Sequence, residues 1–173
     1  MRSSWCPTDA ELDAFAREHL SYEVRMLIGQ SKSLDERHPS DDQDRQALIE
    51  ALLVHLRLLD DFLGSKGQVE RATEGDRDDV FAGHWVDKWE PCTFLSDDER
   101  KRVNAKVAHL SGRRLTLRDV QPDDIPPLVK KCCERLQEFF EHVERHNQVR
   151  APAFACARRR VEQFLAGDPK AVA

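Results

Sequence analysis

Two places in the sequence set proton-carrying or anion-holding side chains at helical spacing. The first is His55. It interrupts an apolar stripe, Leu48, Leu52, His55, Leu59 and Phe62, whose members step by four, three, four and three residues. A histidine in such a stripe is either a core residue hydrogen-bonded to a neighbour or a proton carrier facing a cleft between helices. Asp60 falls on a second stripe beside Leu56 and Leu63, with Ile49 and Leu53 further back. A carboxylate there needs a partner, because burying it unpaired is costly. Arg57 stands three and four residues before Asp60 and Asp61, the spacings at which helical ion pairs form.

The second place is Arg102, Lys106 and His109. At about 100° per residue, Arg102 and His109 project from one side of a helix with Lys106 between them. Asn104 lies on another face, nearer Val103 and Val107. A histidine flanked by two cations suits an anion such as phosphate: the imidazole moves protons near neutral pH and the cations stabilise developing negative charge. The ordinary alternative is a solvated helix face. The basic character continues through Arg113 and Arg114, and the stretch from Arg100 to Arg118 holds seven Lys or Arg residues and no acid.

The segment from His55 to Phe62, taken with Asn104 to Leu110, resembles a set of small bacterial helical proteins. More distantly it is similar to the HEPN superfamily, whose signature is an arginine, four to six residues, then a histidine near the end of a helix. Arg102 and His109 match the longest of these spacings. The commoner form puts a polar residue directly after the arginine, where this chain has Val103. If Asn104 is aligned with the arginine position instead, the catalytic arginine is missing. The resemblance implies a helical bundle, often dimeric, and in many members a ribonuclease that needs no metal. Other members have lost catalysis and serve as binding or scaffold modules. On the active reading, His109 takes the proton from a ribose 2′-hydroxyl and Arg102, with Lys106, stabilises the phosphoryl oxygens. His55 is then the candidate to protonate the leaving oxygen. Asn104, Arg57, Asp60, Arg113 and Arg114 would line the site or contact the RNA.

These residues need helices to position them, and the apolar periodicity supplies five. The expected spans are 7–34, 42–63, 97–110, 124–147 and 154–165, with 64–79 as an exposed loop. Thr8 with Glu11 and Ser96 with Glu99 read as capping boxes. Gly64 and Ser111-Gly112 read as stops, and Pro126-Pro127 as a start. Phe81, Trp85 and Trp89, spaced by four, form either an aromatic platform for bases or, as is commoner for large aromatics, a cap over the core. No strand pattern stands out, so the expected fold is an all-α helical bundle in a single domain.

Composition narrows the classes. The chain has 173 residues, 40% hydrophobic and 34% charged, which suits one domain with one core. Its net charge of −5 argues against a generic nucleic-acid glue. The five cysteines show no Cys-x-x-Cys pair, and His84 with Cys92 lacks a metal-ligand spacing. Reduced thiols, the lack of a signal-like N-terminal run and the lack of a long apolar stretch make a cytoplasmic location the expectation, away from membranes. No cofactor or metal is expected. The two apolar stripes of the second helix exceed what one neighbour covers, which together with the resemblance makes a homodimer the expectation. Two functions therefore stay open. One is a metal-independent ribonuclease or RNA-binding protein. The other is a non-catalytic helical module for a partner protein or small ligand.

Overall fold

The computed structural model describes residues 7–36, 42–64, 80–86, 89–107 and 120–168. All the regular structure in these residues is helical, and the fold is an all-α bundle. The expected loop 64–79 lies outside the described residues apart from Gly64, as do the basic connector with Arg113 and Arg114 and the end of the fourth helix with His109.

The first helical rod comprises α1 (Asp9–Phe15), a wide π turn (Ala16–Leu20) and α2 (Ser21–Glu36). Thr8 and Glu11 close its start reciprocally: the Glu11 N–H donates to the Thr8 hydroxyl, and the Thr8 N–H donates to the Glu11 carboxylate. At the wide turn the Ser21 hydroxyl donates to the Ala16 carbonyl five residues back, at 3.2 Å. The turn carries the buried positions Leu12 and Ala16 onward to Leu20, Val24, Leu27 and Ile28.

The rod packs along α3 (Asp42–Gly64), and α3 also meets α4 (Asp97–Val107) and α5 (Ile125–His146). Helix α5 lies centrally, between α3, α2 and α6 (Ala155–Leu165). It buries Ile125, Leu128, Val129, Leu136, Phe139, Phe140 and Val143, together with the adjacent thiols of Cys132 and Cys133. Two neighbouring helical positions point about 100° apart, so both are hidden only where the helix is covered on a wide arc. Burial pushes the Cys133 thiol up to about 12, and the Cys132 thiol rises as well.

The aromatic segment is a cap, as its composition suggested, though not a helix of its own. A single 3₁₀ turn (Ala82–His84) leads into Trp85, which is buried against Phe15, Phe62 and Phe154. Trp89 meets Phe139 edge-on, and its indole N–H donates to the Leu63 carbonyl at 2.9 Å. From Trp89 to Ser96 the chain runs as a strap across the end of α3. Gly64 makes that approach possible: a Cβ there would sit 2.4 Å from the Thr93 side chain.

Candidate functional site

The two stations on α3 engage different neighbours. His55 is 8% exposed and lies between the buried Leu52 and Leu59. Its Nδ1 meets the Glu23 carboxylate of α2 at 2.5 Å. An ionised carboxylate only accepts, so Nδ1 carries the hydrogen and Nε2 is the ring's remaining acid–base atom. Tyr22 stands edge-on to the imidazole, with ring centroids 6.1 Å apart, and Arg25 lies over the Tyr22 ring. A carboxylate that fixes a histidine in this way can orient it as a general base. It also satisfies a core histidine.

Asp60 is fully buried. One oxygen accepts from the backbone N–H groups of Phe94 and Leu95, at 2.8 and 3.0 Å, and the other accepts from Arg100. Burial pushes the Asp60 carboxyl above its ordinary range, while the N–H donors and Arg100 pull it down. Arg100 also reaches Asp61 at 2.7 Å, and Arg57 completes the row with a longer contact to Asp61 at 3.8 Å. The partner that Asp60 needed is therefore the strap together with Arg100, and the group ties α3 to the start of α4. Three donors hold the carboxylate in place.

Arg102 reaches Asp124 at 3.4 Å, in the 3₁₀ turn (Pro122–Asp124) that precedes α5. Lys106 follows one turn later on the same helix and is half-buried. Asn104 buries its side-chain oxygen, which finds no hydrogen-bond partner among the described residues. His109, Arg113 and Arg114 lie outside the described residues. Of the proposed anion-binding face, then, the structure places Arg102 and Lys106 on α4. It does not bring Asp60 to His55, since one faces Arg100 and the other faces Glu23.

Two participants were missed in the sequence, Glu23 and Arg100. Glu23 stands three residues after the buried Leu20 and four before the buried Leu27. A carboxylate at that position, on a helix neighbouring a stripe that contains histidine, was the available signal. Arg100 was visible only as the first member of the basic run.

Among the described residues no three histidine, cysteine, aspartate or glutamate side chains gather as a metal site would require. His84 uses its Nδ1 on the Phe81 N–H at 3.0 Å, and Cys92 is exposed. A surface groove of about 470 Å³ lies between α5 and α6. Its Arg158 is already paired with Glu144 and Glu162, and none of the candidate residues lines it. No helix among the described residues is long and apolar enough to cross a membrane. No family model matches the chain, and neither a curated protein nor a solved structure matches it significantly.

Proposed function

We propose that the chain is a non-catalytic helical module that acts by recognising a protein partner. The supporting observation is how its conspicuous polar residues are used. His55 is held by Glu23, Asp60 by Arg100 and two backbone N–H groups, Arg57 by Asp61, and Arg102 by Asp124. Each of these contacts joins helices or stiffens one. Meanwhile large apolar side chains stand outward on α2 and α3: Tyr22, Val54 and Leu58 are each more than two-fifths exposed. Binding surfaces are built from such residues on a rigid scaffold.

A second reading keeps the HEPN-like activity. It is favoured by Arg102 and Lys106 standing a turn apart on α4 at the head of the basic run. In that reading His109 is the base for attack by the 2′-hydroxyl, and His55 would have to act as an acid while bound to Glu23. One assay separates the two. Purified protein is incubated with total RNA in the presence of a chelator, beside a His109→Ala control. The module reading expects no cleavage by either protein. Chelator-resistant cleavage that leaves 2′,3′-cyclic phosphate ends and falls by about 10²–10⁴ in the variant would replace it with a metal-independent ribonuclease.

A further inference from the structure

Helix α3 turns one narrow side outward. Ala47, Ala51, Val54 and Leu58 follow at intervals of four, three and four residues, so they line up along one edge of the helix. Val54 and Leu58 are 42% and 48% exposed, Ala47 is exposed and Ala51 half-buried. The strap and α4 occupy the side carrying Asp60 and Asp61, and α2 occupies the side carrying His55. The edge between them faces solvent, and the exposed Tyr22 extends it through its contact with His55. Single exposed apolar residues are ordinary, but a run with alternating four- and three-residue steps is the spacing of a helix–helix seam.

The flanking charges identify what covers this seam. Glu50 and Arg57 directly precede Ala51 and Leu58, seven residues apart, so both stand on the same shoulder of the stripe. Set a second α3 against the first, antiparallel, with a two-fold axis at the level of Leu52 and Leu53. Ala47 then faces Leu58 of the second copy, and Ala51 faces its Val54. Small residues meet large ones in each layer, as close packing requires. In the same register Glu50 of each copy lies beside Arg57 of the other, so two opposite-charge pairs form by symmetry. A parallel pairing would instead set Leu58 against Leu58 and Ala47 against Ala47. One layer further out stand Asp44 and Asp61, on opposite shoulders of the stripe, and these charged positions limit the seam to residues 47–58.

We infer that two copies of the chain associate through antiparallel docking of α3 on α3, with Val54 and Leu58 in the contact and Glu50–Arg57 pairs setting its register. This names the partner for the module reading and is independent of any action on RNA. The seam spans about 17 Å at 1.5 Å per residue, which places the contact at the small end of specific interfaces. The dimer is therefore concentration-dependent.

Sedimentation equilibrium over a concentration series tests this, with circular dichroism as the check on folding. The wild type should pass from the 19.9 kDa monomer to twice that mass. Leu58→Glu should weaken association by at least about tenfold, because it buries a charge in the seam. Glu50→Arg and Arg57→Glu should each weaken it by setting like charges together. An equimolar mixture of those two variants should recover it, since every cross-pair then joins opposite signs. None of the changes should alter the helical spectrum, as these side chains are exposed or half-exposed. A chain that stays monomeric throughout the series overturns the inference, as does a dimer indifferent to Leu58→Glu. So does a mixture that associates no better than its components.

Discussion

Asp60 and His55 stand five residues apart on α3 and meet water on different terms. Asp60 is shut away completely and holds three donors, two from the strap backbone and one from Arg100. His55 keeps a little exposure and holds one partner, Glu23, which is itself only half-buried. The number of contacts follows the depth of burial. A charged carboxylate removed from water loses far more hydration than an imidazole, which can remain neutral, so it needs more replacements. One station fastens three pieces of chain together; the other fastens two helices side by side.

The largest effect should come from Asp60→Ala, which orphans two backbone N–H groups and leaves Arg100 with Asp61 alone. Removing one partner of a buried ion pair costs about 3–5 kcal/mol. Urea unfolding should show a loss near the lower end, because Arg100 is about a third exposed. A loss below about 1 kcal/mol would erase the distinction between the stations. Leu59→Ala, between them and fully buried, gives the apolar yardstick: roughly 2–5 kcal/mol from lost burial and the cavity left behind. His55→Ala should cost less, roughly 1–3 kcal/mol, since Glu23 can turn to water once its partner is gone. If it matches Asp60→Ala, depth of burial is not what ranks the two. Arg102→Ala breaks a longer, partly exposed pair and should change the unfolding midpoint by under about 1 kcal/mol.

The smallest effect concerns pH. His142 packs edge-on to Trp89 and beside His146, and partial burial, then the nearby His146 and Arg145, hold its pKa below the ordinary 6.5. Its folded value lies below its unfolded one, so its contribution is present above pH 6.5 and is lost as pH falls through the folded value. Melting temperatures should therefore decline on acidification from about pH 7.5 to about pH 5.5. His142→Gln should make that decline shallower, and an unchanged slope would remove His142 as its source.

The helices were legible because periodicity and caps are local. Thr8 with Glu11 and Ser96 with Glu99 close as their spacing suggested, and Leu52, Leu59, Leu136 and Phe140 are all buried. The stripes of α3 also showed that Asp60 must find a partner. They did not show which, because Arg100 lies 40 residues away and arrives only when the strap folds over Gly64. The wide turn at Ala16–Leu20 left no trace in the apolar spacing. The aromatic segment kept a helical rhythm yet winds only one 3₁₀ turn, and the strap beyond it sends the N–H groups of Cys92, Phe94 and Leu95 to Leu63 and Asp60 across the chain. Arg102 and Lys106 share α4, while His109 lies outside the described residues, and what Arg102 touches depended on where Asp124 came to rest.

The paired thiols of α5 give the molecule a built-in clock. Cys92 and Cys156 are open to a thiol-specific reagent, whereas Cys132 and Cys133 are enclosed and held in their protonated, unreactive form. Labelling should therefore proceed in two stages. The exposed sulfurs react at the pace of the reagent. The enclosed pair reacts at the pace at which the bundle parts around its central helix, and mass spectrometry should find both modified in the same opening event.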